Sequence, residues 1–94
     1  MAYEINEQPD AEAALDRLAD DPQMGDVFEA IERTIGRLSE DPFSKKLGTR
    51  SFQTDELGYL SATPARADDW WLLWRRGGKP NSIALVFVVR LELD

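Results

Sequence analysis

Two apolar segments decide the fold of this chain: "WWLLWRR" at residues 70–76 and "SIALVFVVRLEL" at residues 82–93. Both are rich in the aromatic and β-branched residues that strands favour. The five residues between them, "GGKPN" (77–81), are residue types typical of turns. The pattern therefore predicts two neighbouring antiparallel strands joined by a short connection.

Alternation along a strand sends successive side chains to opposite faces of its sheet. Trp70, Leu72 and Trp74 carry more apolar area than the side chains between them, so we expect this set to pack against helices. The second strand adds a helix-facing set: Ile83, Leu85, Phe87, Val89, Leu91 and Leu93. The same alternation predicts an open face with these residues: Trp71, Leu73, Arg75, Ala84, Val86, Val88 and Arg90.

The rest of the chain supplies the other elements. Residues 3–7, 49–54 and 59–63 alternate as strands do. Proline at the first helical position predicts helices over 9–20 and from Pro22 to about Asp41. The second helix carries one apolar stripe: Met24, Val27, Phe28, Ile31, Ile35 and Leu38. The predicted fold class is α+β in the order β-α-α-β-β-β-β, with two N-terminal helices on one face of a mainly antiparallel twisted sheet, forming one domain over 1–94.

Composition narrows the chemistry. The chain has no cysteine and no histidine, which removes disulfides, thiolate metal sites and histidine-based catalysis. We predict no metal and no cofactor. No signal peptide and no membrane-spanning segment is recognisable, so we expect a cytoplasmic protein.

The net charge of −7 is unevenly distributed. Residues 1–42 hold twelve acidic and three basic side chains, whereas residues 43–90 hold four acidic and eight basic ones. This asymmetry fits either two faces with different roles or acidic helices that are simply solvated.

The junction "LSEDPF" (38–43) followed by "SKKLG" (44–48) resembles the helix–proline–basic–leucine–glycine junction of the RelE/ParE superfamily of bacterial type II toxins. The two long C-terminal strands are similar to the last two strands of that family, and the element order is the same. The resemblance covers essentially the whole chain.

The resemblance implies a toxin neutralised by a cognate antitoxin. Its activity would be ribosome-dependent mRNA cleavage without a metal, or inhibition of DNA gyrase. The positions that correspond to the cations of the nucleolytic members predict catalytic roles for Lys46, Arg50 and Arg90. Further binding roles are predicted for Lys45, Tyr59, Trp71 and Arg75.

Two readings of another class stay open. One is a non-catalytic acidic domain that binds or inhibits a basic target through its helices, with these residues: Asp16, Asp20, Asp26, Glu29 and Glu32. The other is a self-associating module, such as a homodimer, formed through its long apolar strands.

Overall fold

The computed structural model describes residues 2–91 and contains two helices and five strands in the predicted order. The helices are α1 (Pro9–Asp20) and α2 (Gly25–Glu40). The strands are β1 (Glu4–Glu7), β2 (Arg50–Thr54), β3 (Gly58–Pro64), β4 (Trp70–Arg76) and β5 (Ser82–Arg90). Two short 3-10 turns, Pro22–Met24 and Lys45–Leu47, precede α2 and β2.

The start of α2 differs from the sequence-based expectation of a helix from Pro22. Asp21 does act as a cap, because its carboxylate accepts the backbone N–H of Gln23 at 2.9 Å. It caps the 3-10 turn, however, and the α-helix begins only at Gly25. The apolar stripe of α2 packs as predicted, with Val27, Ile31 and Leu38 buried.

The strands form one sheet in the order β1-β5-β4-β3-β2. β1 runs parallel to β5, with Glu4 opposite Ser82, and the other three pairings are antiparallel. The predicted α+β architecture with a mainly antiparallel sheet is therefore confirmed. No helix among residues 2–91 has the length and apolar character needed to cross a membrane.

Both helices contribute to one apolar core on one side of the sheet, which we call the helix side. Trp70, Leu72 and Trp74 belong to this core, as predicted. Burying side chains of this kind contributes roughly 1.5–3 kcal/mol each. The opposite side, which we call the open face, is built on a second apolar cluster of buried residues: Leu60, Ala62, Leu73 and Val86.

A β-bulge in β5 changes which residues reach each side. Leu73 pairs with Phe87 while Trp74 pairs with Leu85, so Val86 is an extra residue on β5. Val86 and Phe87 both join the open face, and the alternation is inverted from there onward. The sequence-based assignment was therefore correct for Val86 and wrong from Phe87 onward.

The corrected assignment follows directly from this inversion. Phe87, Val89 and Leu91 lie on the open face, and Val88 packs into the helix-side core. β5 ends at Arg90, so Leu91 follows the strand, and the predicted continuation over 92–93 lies outside the described residues.

Candidate functional site

The open face is an apolar surface that neither helix covers. Its buried floor is shielded by half-buried side chains of the same surface: Phe52, Leu57, Trp71, Phe87, Val89 and Leu91. Large contiguous apolar surfaces are uncommon on monomeric soluble proteins and commonly mark interaction sites. The open face is therefore the first candidate surface for binding a protein.

Three of the predicted site residues lie on this face. The Arg50 guanidinium sits 6.0 Å from the centroid of the Trp71 ring, close enough for a cation–π contact. Arg75 follows Trp71 and Leu73 on the same side of β4 and is exposed. The structure thus places two cations at the edge of the apolar cluster.

Arg90 does not join them, which corrects the expectation that it would lie beside Trp71 and Arg75. It pairs across the sheet with Trp70, and both line a cleft of about 530 Å³ against the end of α1. Arg17 and Asp21 contribute the other charged side chains of this cleft. The bulge at Val86 is the physical cause, because it moves Arg90 to the helix side.

The two lysines of the basic junction point into different clefts. Ser44 caps their 3-10 turn by accepting the backbone N–H of Lys46 at 3.3 Å. Lys46 lines a cleft of about 450 Å³ with Arg37, Glu40 and Asp41 at the end of α2. Two carboxylates and one guanidinium therefore share this cleft with Lys46. Lys45 lines a separate cleft of about 360 Å³ beside Phe43 and Trp74.

Tyr59 is strongly exposed, at 70%. Its neighbour Leu60 belongs to the open face, so Tyr59 points to the opposite side of the sheet. It therefore lies across the sheet from Arg50 and cannot act on the same group.

The three predicted catalytic cations are thus not assembled at one point. Arg50 lies on the open face, Arg90 on the helix side, and Lys46 at the end of α2. Transition-state stabilisation of a phosphoryl group requires donors aimed at the same few oxygens. With the sheet between Arg50 and Arg90, one phosphate cannot contact both.

Phe43 is a surface feature that the sequence reasoning missed. Its ring is 50% exposed and meets Tyr3 edge-on, with centroids 6.0 Å apart and an interplanar angle of 82°. The Trp74 ring lies at 6.1 Å, and the Arg76 guanidinium lies 4.7 Å from the Phe43 centroid. In the sequence, Phe43 stands between Pro42, which ends the second helix, and the basic pair Lys45 and Lys46. No core residue was expected at that position, so an aromatic residue there was the signal of a surface feature.

Acidic side chains in the N-terminal half of the chain alter the pKa of Glu7. Burial raises the pKa of Glu7, and nearby carboxylates raise it further. These carboxylates belong to Glu32, Glu12 and Asp16. The helices and β1 therefore create a locally negative surface away from the open face.

Comparisons with known proteins show which solved structures share this architecture. No protein-family model matches the sequence, and no curated protein matches it either. Among solved structures, a YoeB/ParE toxin from Agrobacterium tumefaciens superimposes with a TM-score of 0.75 over 95% of this chain and 99% of its own, at 10% identity.

Two further structures are described as complexes, one as the toxin–antitoxin complex RelBE2 and the other as a RelE–RelB complex. A chain of the RelBE2 complex from Mycobacterium tuberculosis matches with a TM-score of 0.67 and 18% identity, over 97% of this chain and all of its own. A chain of the archaeal RelE–RelB complex from Pyrococcus horikoshii matches with a TM-score of 0.69 and 13% identity, over 96% of each chain. The described chain therefore has the fold of the RelE, YoeB and ParE toxins.

Proposed function

We propose that this protein is the toxin of a type II toxin–antitoxin module, neutralised by an antitoxin that covers the open face. The near full-length correspondence to a YoeB/ParE toxin is the observation that carries the proposal. One matching structure is described as a toxin–antitoxin complex and another as a RelE–RelB complex, which supports the same kind of partner here.

The composition of the open face supports its role as the antitoxin site. A partner segment with apolar residues would cover Trp71, Phe87 and Val89, all of which are half-buried. Removing apolar surface from water contributes roughly 25 cal/mol per Å². Acidic side chains at the margin of that segment would meet Arg50 and Arg75.

We further propose that the toxin acts by binding its target and not by cutting RNA. The dispersal of Arg50, Lys46 and Arg90 over separate surfaces supports this mode. The net charge of −7 also opposes ribosome binding, because contacts between basic side chains and RNA phosphates dominate the affinity of a protein for nucleic acid. DNA gyrase, the target of the ParE branch, is then the first candidate.

Inducible expression in a bacterial host tests the toxin assignment. Growth should arrest when the chain is produced alone and recover when the product of the neighbouring reading frame is co-expressed. Unimpaired growth at high expression would contradict the proposal. A solution dimer formed through the open face would instead favour the self-associating alternative, and light scattering would detect it.

Two variants test the antitoxin surface. Phe87→Arg introduces a charge on the open face, and Tyr59→Arg makes a matched change on the exposed opposite side. We expect Phe87→Arg to weaken the antitoxin complex at least tenfold and Tyr59→Arg to leave it unchanged, with circular dichroism confirming the fold. Equal affinity of both variants would remove the open face from the interface.

The mode of action is tested in parallel. Purified protein should inhibit gyrase supercoiling, and mapping of mRNA ends during growth arrest should show no new termini. The nucleolytic alternative predicts new termini that disappear in Arg50→Ala, Lys46→Ala and Arg90→Ala. That result would contradict action by binding alone.

A further inference from the structure

We propose that the outer edge of β2 pairs with the same edge of a second copy, in an antiparallel, two-fold dimer that joins two five-stranded sheets into one. A sheet has unpaired backbone groups only along its edge strands, which makes these strands sites for adding another strand. The long apolar strands β4 and β5 lie inside the sheet and have a neighbour on each side. The edges of the described sheet are β1 and β2.

The β1 edge carries features that oppose strand addition. It is four residues long and has a carboxylate at each end, from Glu4 and Glu7. Glu12, Asp16 and Glu32 add further negative charge near Glu7. Short edge strands and charged side chains are devices that prevent edge-to-edge pairing. Two copies of β1 would therefore repel each other.

The β2 edge lacks these features. After Arg50, the strand continues as Ser, Phe, Gln and Thr over 51–54, with no charge and no proline. Its pairing with β3 keeps one register from Arg50 to Thr54, so no bulge turns the strand away. Within residues 2–91, no backbone hydrogen bond outside this pairing reaches 50–54. The outer backbone groups of β2 are therefore available to another strand.

The charges at the two ends of β2 make this edge complementary to itself. Arg50 begins the strand, and Asp55 and Glu56 lie in the turn directly after its end. All three residues are exposed. An antiparallel pair brings the basic end of each copy against the acidic turn of the other, and two-fold symmetry makes this contact twice. The charge pattern therefore favours a second copy as the partner.

Symmetry and charge together select the register. A two-fold axis between antiparallel strands stands perpendicular to the sheet, and residues opposite each other point to the same face. With the axis at Gln53, Arg50 lies opposite Glu56 of the second copy. With the axis at Phe52, Arg50 would lie opposite Thr54 and have no charged partner there. The axis is therefore at Gln53, and the open faces of both copies lie on the same side of the joined sheet.

The backbone at both ends of β2 is held in place before the copies meet. The Thr54 hydroxyl donates to the Gly58 carbonyl at 2.9 Å, which closes the turn that carries Glu56. Gly58 has a φ of 72°, a left-handed conformation that glycine adopts without strain. At the other end, the Arg50 guanidinium lies 6.0 Å from the centroid of the Trp71 ring.

Sedimentation velocity of the purified protein over a range of concentrations tests the dimer. A single pair of short edge strands is smaller than a standard interface of about 1,600 Å², so we expect a reversible monomer–dimer equilibrium. Arg50→Glu and Glu56→Arg each place like charges opposite one another, and each should weaken the dimer about tenfold. The double variant R50E/E56R should recover most of the lost affinity. Because β2 spans about 13 Å within one copy, that recovery reports contact between copies.

Disulfide trapping tests the position of the axis. The chain has no cysteine, so a single introduced thiol can form a disulfide only with a second copy. Residues opposite each other in an antiparallel pair have Cα atoms about 4.5–5.5 Å apart, within the range of about 4.4–6.8 Å for a disulfide. Gln53→Cys in a glutathione buffer should therefore yield more linked dimer than Asp26→Cys, an exposed control on α2. Circular dichroism confirms that each variant is folded.

Three results would overturn the proposal. The first is a monomer at every concentration. The second is a double variant no better than the single ones, and the third is an equal yield of linked dimer from Gln53→Cys and Asp26→Cys. A dimer that Phe87→Arg dissociates and Arg50→Glu leaves intact would also overturn it, because self-association would then belong to the open face. None of these measurements uses an antitoxin or a target, so their outcome is independent of the proposed function.

Discussion

Replacing Thr63 by valine should destabilise the protein by about 2 kcal/mol, because it leaves a buried indole N–H without an acceptor. Thr63 is 0% exposed and Trp74 only 2% exposed. The Trp74 Nε1 donates to the Thr63 Oγ1 at 2.9 Å, and the Thr63 and Thr49 hydroxyl oxygens are 2.6 Å apart. Since an indole can only donate, Thr63 accepts from it, and either hydroxyl can be the donor in the contact between Thr63 and Thr49.

The magnitude follows from these two bonds. An orphaned buried donor costs roughly 1–3 kcal/mol. Thr49 is half-buried, so water can replace part of its lost partner. The methyl group that replaces the hydroxyl recovers less than about 0.8 kcal/mol. In a protein of this size, about 2 kcal/mol lowers the melting temperature by about 8–16 °C.

Urea unfolding followed by circular dichroism measures the change, because that signal does not depend on the tryptophan being altered. The decisive experiment is a double-mutant cycle with Trp74→Phe, which removes the donor itself. In that background Thr63→Val should cost about 1–2 kcal/mol less than in the unmodified protein. An equal cost in both backgrounds, or a loss below about 0.5 kcal/mol, would refute the reasoning.

Three further changes have defined outcomes. Gly36→Ala should raise the free energy of unfolding by about 1 kcal/mol, because a Cβ there meets nothing within 4 Å on the exposed side of α2; a loss of stability in urea unfolding would contradict this. Gly77→Ala should destabilise, because its Cβ would collide with the Ser82 side chain, whereas Gly78→Ala has open space and serves as the control; equal melting temperatures would reject the collision. Glu7→Gln should stabilise at pH 7 and lose that effect at pH 3. The pKa of Glu7 is raised in the folded protein above its ordinary value of 4.5, so the ionised carboxylate destabilises the fold. This destabilisation is absent below the ordinary pKa, grows as the pH rises, and is complete above the pKa of the folded state. A gain of equal size at both pH values would show that charge is not the cause.

The order and type of the elements were predictable because local patterns specify them. Pro9 marks the start of α1, the stripe through Val27 and Ile31 marks α2, and the glycine-rich segment at 77–78 separates β4 from β5. Each signal depends on neighbouring residues only. The packing of Trp70, Leu72 and Trp74 toward the helices followed from the same alternation.

The bulge was not predictable, because residues 83–89 are apolar throughout and their alternation carries no sign of an extra residue. Pairing with β4 inserts Val86, and this choice depends on contacts between strands. Every assignment beyond that point was inverted, including that of Arg90. The cluster at Phe43 was not predicted for a similar reason. Tyr3, Phe43 and Arg76 come from three separate parts of the chain and meet only when these parts fold together.

The parallel pairing of β1 with β5 has a consequence for folding during synthesis. β5 lies between β1 and β4, so the sheet has no continuous hydrogen-bonded path to β1 until residues 82–90 are available. A contact between Glu4 and Ser82 closes almost the whole described chain into a loop, and such distant contacts form slowly. While the chain is being made, α1 and α2 can form locally, but the surfaces around Phe43 and on the open face cannot. Both surfaces should therefore appear late and together, when β5 joins the sheet.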